Sequence, residues 1–230
     1  NLMAIDSGKF ILPSLVGIFL LLVFIIIKAQ DNSQVQNTQL EVAQLLEDVY
    51  SEQNRTFKEF VNTQYRHLAF LLGTPPIQGI NRAQINNGVD ALDGTTTDIW
   101  ATRLSIIFTS LASNYENILQ MRLIDSSTGM ELVRVNKVGQ DIKRVISAKL
   151  QNKSHTEYFI NTVKLPEHTL YISELDLNRE NGTIEYPVQP TIRFAIPVYN
   201  ELNQLYSLLI INVSATELIN NLQAISNSKN

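Results

Sequence analysis

The sequence of 230 residues contains no cysteine, which excludes disulfide bonds, zinc ribbons and thiol catalysis. It has no basic block either: 18 Lys and Arg stand against 22 Asp and Glu, giving a net charge of −4, so we expect no nucleic-acid partner. Phosphate-binding loops, serine-hydrolase elbows and zinc-protease motifs are absent, and the three histidines are isolated in sequence. We therefore predict no catalytic residue, no metal site and no cofactor for this chain.

Charge is also missing from one long stretch near the N-terminus. Residues 10–27, FILPSLVGIFLLLVFIII, carry no charged side chain. As a helix they would span about 27 Å, close to the thickness of the hydrocarbon core of a bilayer. A cleaved signal peptide needs a shorter apolar run followed by small residues, which IIIKAQDN does not supply. We predict a transmembrane helix at 10–27 behind an N-terminal flank at 1–9.

Glycine and proline are absent from residues 32–72, as expected for a long uninterrupted helix. Apolar residues recur there every three or four positions, which is typical of an amphipathic helix, and Gly-Thr-Pro-Pro at 73–76 ends the pattern. We predict one helix over 29–72. It is either an ordinary packing helix or a stalk through which two copies of the chain form a homodimer, and the pattern is compatible with both.

The periodicity then changes from helix to strand. The polar stretch 77–97 predicts a loop with one short helical piece, followed by a helix that Asp98 caps and whose apolar stripe begins at Trp100. A second helical insertion is predicted at 153–164. Alternating patterns predict six strands, at 119–125, 130–136, 169–175, 183–188, 191–199 and 205–213.

One of these strands, TIRFAIPVY, shows which sheet face a helix must cover. Its alternation places four apolar residues on that face: Ile192, Phe194, Ile196 and Val198. Ser214 then caps a final helix. This order is an α+β plan, with helices on one side of an antiparallel sheet and the other side free to form a pocket with the insertion. We assign 73–218 to this lobe and 219–230 to the start of a linker.

Two arginines lie in the predicted hairpin QMRLIDSSTGMELVRVN, residues 120–136. If its turn holds four residues, Arg122 shares a face with Glu131, and the two form either a structural ion pair or part of a ligand site. Arg134 lies among apolar residues without a partner in the hairpin, so it must reach water or an anion to avoid a penalty of several kcal/mol. Arg193, on the uncovered sheet face, is a third candidate for binding an anion by the same argument.

Aromatic residues supply further candidates for a pocket wall. Tyr158 and Phe159 lie in the insertion, and Tyr171 and Ser173 point to one side of their strand. Apolar walls with a few polar groups are typical of small-molecule sites, although core packing explains the aromatic residues equally well. The candidate ligand-binding residues are Arg122, Arg134, Tyr158, Phe159, Tyr171, Ser173 and Arg193.

The order of these pieces resembles the extracytoplasmic double Cache sensor domains of bacterial receptors, a PAS-like family. The resemblance is carried by the apolar anchor, the long helix, the hairpin, KSHTEYF, and above all the block TLYISELDLNRENGTIEYPVQPTIRFAIPVYNELNQLYSLLIINVSATEL at 169–218. It implies a five-stranded antiparallel sheet, a small-molecule ligand and signalling as a dimer. It also implies an anchor in the bacterial inner membrane and a sensor region in the periplasm.

Two departures from the family pattern bear on the ligand and the parent protein. A second, membrane-proximal lobe normally follows the first, so we expect a truncated parent or a single-lobe variant. The amino-acid-binding branch has an arginine at the position of Thr156, and a tyrosine and an aspartate near Asp176 and Asn178. Because that set is not reproduced, we expect a different small molecule, one with an anionic group if the arginines serve it, or else an orphan pocket.

Two hypotheses for the function follow. In the favoured one, the chain is the ligand-sensing module of a membrane-bound receptor, and the long helix passes binding on to a cytoplasmic effector. That effector is first a diguanylate cyclase with a GGDEF domain and next a histidine kinase; chemoreceptors share the sensor as well. In the alternative, the chain is a membrane-anchored structural or assembly ectodomain without a small-molecule site.

Overall fold

The computed structural model describes the backbone of residues 8–177, 179–180, 183–184 and 188–228, and the side chains of residues 19–177 and 188–228. The chain divides into two compact units. One comprises Asn1–Asn54 and Ile225–Asn230, and the other comprises Arg55–Ala224.

The first unit contains most of α1 (Gly8–Leu72), a helix of 65 residues that ends at the predicted place. In this unit the side-chain amide of Gln53 donates a hydrogen bond of 2.8 Å to Ser226 Oγ. No helix within the described residues has an apolar stretch sufficient to cross a bilayer. The predicted membrane segment 10–27 lies partly outside the described side chains, so it stays a prediction.

Four α-helices and one 3-10 turn follow α1 in the described part of the chain. They are α2 (Pro75–Ile85), α3 (Thr97–Asn114), the 3-10 turn Ser147–Lys149, α4 (Glu157–Thr162) and α5 (Thr216–Asn227). The helix α2 supplies the short helical piece predicted within 77–97, up to Ile85. Pro75 and Pro76 lie at its first positions, where a missing N–H costs nothing, so the prolines that end α1 also begin α2.

The strands of the described chain are β1 (Ile118–Asp125), β2 (Glu131–Val138), β3 (Asp141–Arg144), β4 (Tyr171–Ile172), β5 (Asp176–Leu177), β6 (Arg179–Glu180), β7 (Thr183–Ile184), β8 (Pro190–Tyr199) and β9 (Leu205–Ser214). The main antiparallel sheet has the order β3-β2-β1-β9-β8-β4, and β5 also pairs with β8. The strands β6 and β7 form a separate pair. Residues 185–187 of the predicted strand 183–188 lie outside the described residues.

The prediction of five strands is wrong, because the main sheet has seven. Besides β3, which extends the hairpin, the difference lies at the edge of β8. Only the two residues of β4 form within the strand predicted over 169–175, and β5, also of two residues, follows directly after it. Between them the hydroxyl of Ser173 accepts a hydrogen bond of 2.9 Å from the Arg193 amide, so a side chain takes part in the edge pairing.

The predicted buried face of β8 is confirmed. Its four alternating apolar residues belong to one core with side chains of α1, α2 and α3. Phe60 of α1 contacts Phe194 of β8 edge to face, with ring centroids 5.7 Å apart. Helices therefore cover one side of the sheet. The candidate ligand-binding residues on the opposite side are held by a sheet that is packed from behind.

The start of α3 differs from the prediction. Its N-cap is Thr96, whose hydroxyl accepts a hydrogen bond of 3.4 Å from the Ile99 amide, and not Asp98. Trp100 is a core residue, 6 % exposed, as expected. A Cβ on Gly79 of α2 would lie 2.4 Å from the Trp100 ring, so the close packing of α2 on α3 requires glycine at this position.

A buried carboxylate, Asp90, ties together the loop between α2 and α3. Asp90 is 1 % exposed and accepts hydrogen bonds of 2.9 and 2.8 Å from the Arg82 guanidinium. It also accepts one of 3.1 Å from the Trp100 indole and one of 3.0 Å from the Leu92 amide. The hydrogen bonds from Arg82 are the main reason that the pKa of Asp90 falls from 3.8 to about 2. We call these four residues the Asp90 clamp.

Candidate functional site

The second face of the sheet carries its own small apolar cluster and the short helix α4. Tyr158 and Phe159 of α4 are 7 and 8 % exposed. They pack against side chains of β1, β8 and β9, namely Ile124, Ala195, Leu208 and Ile210. This packing fixes α4 over the sheet, so that the hydroxyl end of Tyr158 and the surrounding loops enclose a space above β1 and β8.

A β-bulge changes the register of the hairpin and overturns the predicted roles of its arginines. Ile124 pairs with Glu131 as predicted, but the pairing then skips Leu132, and Arg122 lies directly opposite Arg134. A skipped residue moves every following side chain to the other face. The prediction that Arg134 shares a face with the apolar residues of β1 is therefore wrong.

Arg134 is held by partners within its own hairpin and the following loop. Its Nη1 lies 3.2 Å from Glu131 Oε2, and its Nη2 donates a hydrogen bond of 3.2 Å to the Lys149 carbonyl. It is 3 % exposed and does not line the cavity described below. The expectation that Arg134 lacks a partner is wrong, because the bulge turns it towards Glu131.

Arg122 is also buried, at 3 % exposure, and makes three side-chain contacts. Its Nε lies 3.2 Å from Glu131 Oε1, which confirms the predicted ion pair. Its Nη2 donates to Gln120, and its Nη1 donates a hydrogen bond of 2.8 Å to the Tyr158 hydroxyl. Glu131 thus contacts two arginines, and one of these connects it to α4.

A cavity of about 440 Å³ lies on this side of the sheet. Its volume is in the range of small-molecule sites. Five of the seven predicted residues line it: Arg122, Tyr158, Tyr171, Ser173 and Arg193. The other two do not: Phe159 belongs to the apolar cluster beneath α4, and Arg134 lies behind Glu131.

Arg193 is the guanidinium with the fewest contacts in this cavity. Its side chain is 13 % exposed, and no hydrogen bond joins its guanidinium to any described residue. The half-exposed carboxylate of Asp176 lies 3.7 Å from Nη1, beyond hydrogen-bond distance. Burial lowers the pKa of Arg193; the charge of Asp176 opposes this shift, and that of Arg122 adds to it. An anion placed at this guanidinium would gain both a charge partner and donors.

Sequence reasoning did not single out several other residues of the cavity wall. These are Lys153, His155, Glu157, Glu174 and Leu175; Thr156 and Asp176 also line it and were considered through the resemblance only. Each lies within about five positions of Tyr158 or Ser173 in the sequence. Their nearness in sequence to Tyr158 or Ser173 could have identified them, because residues next to a cavity-lining residue in a loop often line the same cavity.

The described geometry can be compared with known proteins. A family model described as "Bacterial histidine kinase, sensor domain" matches residues 96–229, which is more than half of the chain. The chain belongs to this family of bacterial sensor domains. A comparison with curated proteins found no match.

Solved structures similar to this sensor domain include three sensory domains. A domain of a sensory box/GGDEF family protein from Vibrio parahaemolyticus has 21% identity and a TM-score of 0.57, covering 82% of this chain and 64% of that one. The extracellular domain of a histidine kinase has the same identity and TM-score, with coverage of 82% and 61%. The sensory domain of the Campylobacter jejuni chemoreceptor Tlp3 with isoleucine bound has 12% identity and a TM-score of 0.54, with coverage of 80% and 65%.

At these identities the likeness shows a shared fold. This chain spans 64% and 61% of the length of the first two structures. Together with the family match, the shared fold confirms the resemblance to Cache-like sensor domains that the sequence indicated. A sensor domain by itself is not catalytic.

Gly129 in the β1–β2 turn supports one wall of the sensor-domain cavity. Its φ of +72° is in the left-handed region, and a Cβ would lie 2.5 to 2.7 Å from atoms of Ser154. Its carbonyl accepts a hydrogen bond of 2.7 Å from the Lys153 amide. The substitution Gly129→Ala is expected to cost about 1–2 kcal/mol for the backbone conformation and more for displacing the 152–156 loop.

Gly139 offers a matched control for this prediction. Its φ is +61°, but a Cβ there would meet no atom within 4 Å. Gly139→Ala is therefore expected to show the conformational cost alone, about 1–2 kcal/mol. Urea unfolding of both variants, followed by the fluorescence of the single tryptophan, compares them. Equal losses of unfolding free energy would show that the Ser154 contact is not rigid.

Proposed function

We propose that this sensor domain is the extracytoplasmic ligand-binding input of a membrane-anchored bacterial receptor, and that it binds a small anionic molecule in the cavity between β8 and α4. The observation that carries the proposal is the Arg193 guanidinium, which faces the cavity, is 13 % exposed and has no hydrogen bond among the described residues. Leaving a buried cation without a good partner costs free energy, and bound anion would recover it.

The polar groups around Arg193 suit an oxyanion. Tyr158, Tyr171 and Ser173 line the same cavity. The Ser173 hydroxyl already donates a hydrogen bond of 2.8 Å to the Glu174 carbonyl, so the two tyrosines are the candidate hydroxyl donors. Hydroxyls and guanidinium groups together bind carboxylate and phosphate oxygens, because both supply N–H or O–H donors. The Tlp3 sensory domain, which has the same fold, has isoleucine bound. Because this chain has Thr156 where the amino-acid-binding branch has an arginine, the ligand proposed here is an anionic molecule other than an amino acid.

Ligand binding has a short route from the cavity to α1. Arg193 and Phe194 are adjacent in β8 and point to opposite sheet faces, and Phe194 contacts Phe60 of α1. A shift of β8 on binding would therefore change the contact between Phe194 and Phe60 of α1. Such a shift follows only if the ligand has different affinities for two arrangements of the strand and helix.

The remaining parts of the proposal concern the parent receptor. The apolar segment 10–27 is proposed to anchor the protein in the inner membrane, with the sensor region in the periplasm and a homodimer formed through α1. The effector is proposed to be a histidine kinase or a GGDEF diguanylate cyclase. The family description favours the kinase, whereas one similar structure comes from a GGDEF protein.

A thermal-shift screen of the whole chain against anionic metabolites tests the proposal. A ligand that binds only the native state raises the Tm by mass action, and Trp100 fluorescence reports it. We expect the shift to disappear in Arg193→Met and to persist in Arg55→Met, a matched change at an arginine whose side chain is 63% exposed. A shift that survives Arg193→Met, or no anion-dependent shift at all, would favour the alternative of a structural ectodomain.

A further inference from the structure

Tyr158 has an unused hydrogen-bond donor at the cavity. A phenol hydroxyl donates one hydrogen bond and accepts others. Here the oxygen accepts from Arg122 Nη1 at 2.8 Å, and the hydroxyl donates to none of the described residues. Because Arg122 occupies an acceptor site of the oxygen, the O–H is left to point elsewhere, and the cavity that Tyr158 lines is the space available to it.

Arg122 is placed to orient this hydroxyl. Its side chain is 4% exposed, compared with 13% for Arg193. Three of its nitrogen atoms are engaged, with Glu131, Gln120 and the Tyr158 hydroxyl. The guanidinium carbon also lies 5.8 Å from the centre of the Tyr158 ring. These contacts fix Arg122 from three directions, so its position cannot follow a ligand as freely as that of Arg193.

The two groups reach the cavity from different parts of the fold. Tyr158 projects from α4 above the sheet, whereas Arg193 projects from β8. Both line the same cavity. A hydroxyl donor and a guanidinium that converge on one space suit an oxyanion, whose several oxygens accept from both. A cationic residue that acts on an acceptor site of the phenol also strengthens the O–H as a donor, because hydrogen bonds in a chain polarise one another.

We infer that Arg122 is a positioning residue that aims the Tyr158 hydroxyl at the anionic group of the ligand, which Arg193 holds from the sheet side. This deepens the proposed function and rests on it, since it concerns the same cavity. The ligand chemistry it requires is an oxyanion, either a carboxylate or a phosphoryl group. Arg122 acts through Tyr158 and not by direct contact with the ligand.

A double-mutant cycle on the whole chain tests the inference, with acetate and inorganic phosphate as probes. Acetamide, the neutral analogue of acetate, serves as the control for charge, and sodium chloride keeps the ionic strength constant. We expect Tyr158→Phe to weaken binding of the preferred anion about tenfold or more, the usual effect of losing a hydrogen bond to a charged group. Arg122→Lys is expected to weaken it by a similar factor. The preferred probe distinguishes a carboxylate from a phosphoryl ligand.

The decisive measurement is the double variant. If Arg122 acts through Tyr158, Arg122→Lys in the Tyr158→Phe protein has no further effect on affinity. If the loss of affinity in the double variant is the product of the losses in the two single variants, Arg122 contacts the ligand directly, and the inference is overturned. Acetamide binding as tightly as acetate would overturn it as well.

The outcome for Arg193→Met separates this inference from the proposed function. A response to anions that is lost in Arg193→Met but unchanged in Tyr158→Phe overturns the role of Tyr158 and Arg122 alone. A response that survives Arg193→Met overturns the proposed function. Unfolding curves of each variant without ligand show whether a loss of binding is merely a loss of folding, since Tyr158→Phe keeps the ring that packs beneath α4.

Discussion

Replacing Glu131 with glutamine is expected to lower the unfolding free energy of the sensor domain by about 3–5 kcal/mol, the usual cost of removing one partner from a buried ion pair. Glu131 is 3 % exposed, and its two oxygens lie 3.2 Å from Arg122 and 3.2 Å from Arg134. It also accepts a hydrogen bond of 3.0 Å from the backbone N–H of Gln151. Glutamine keeps the shape but removes the charge that both guanidinium groups contact.

Urea unfolding followed by tryptophan fluorescence measures this loss. A reduction of that size is a large fraction of the 5–15 kcal/mol typical of a native protein, and it should lower the Tm by roughly 10 °C. Glu116→Gln is the matched control, because Glu116 is exposed just before β1, and its replacement should change stability by about 0.5 kcal/mol or less. Equal effects of the two substitutions would show that the buried carboxylate is not a major stabilising group.

Asp90→Asn is expected to cost about 3 kcal/mol, because it breaks the Asp90 clamp. The asparagine can still accept one hydrogen bond, but its amide group cannot accept the second bond from Arg82, and the substitution removes the carboxylate that pairs with this cation. Asp98→Asn is the control, since the Asp98 side chain is 81% exposed and should tolerate the change within about 0.5 kcal/mol.

The same clamp predicts a dependence of stability on pH. The pKa of Asp90 is about 2 in the folded protein, below its ordinary value of 3.8. A carboxyl group with a depressed pKa contributes stability that is fully present above the unfolded pKa and is lost as the pH falls towards the folded pKa. The wild-type protein should therefore lose stability between about pH 5 and pH 2, and Asp90→Asn should lose less over that range. Parallel curves for the two proteins would contradict the assignment.

Much of the fold follows from periodicity alone. The long helix, the β1–β2 hairpin and the β8–β9 pair have apolar patterns that repeat over eight or more residues. The strands were predicted close to their observed bounds, and the long helix was predicted close to its observed end. Short elements carry too few repeats to be seen. The strands β4 and β5 have two residues each, and their pairing depends on the edge of β8 and on the Ser173 hydroxyl. The prolines that start α2 also resemble a loop signal.

Most residues that line the candidate site were predicted, but most of the contacts between them were not. Arg193 could be placed on the open sheet face because the alternation in β8 is regular. The partner of Arg134 could not be found, since nothing in the hairpin sequence signals that pairing skips Leu132. The contact between Arg122 and Tyr158 joins residues 36 positions apart and depends on how α4 packs, which is a tertiary property.

The skipped residue in β2, Leu132, determines which face of the sheet each following side chain of this strand occupies. If pairing continued regularly beyond Ile124 and Glu131, Leu132 would lie opposite Leu123 and Val133 opposite Arg122, and the two faces of β2 would be exchanged from there on. The guanidinium of Arg134 would then turn to the apolar side, and the valines to the charged side. In alignments of sensor domains, a one-residue gap at Leu132 would accordingly leave Arg134 on the side of Glu131, because the observed pairs then follow one another without a bulge.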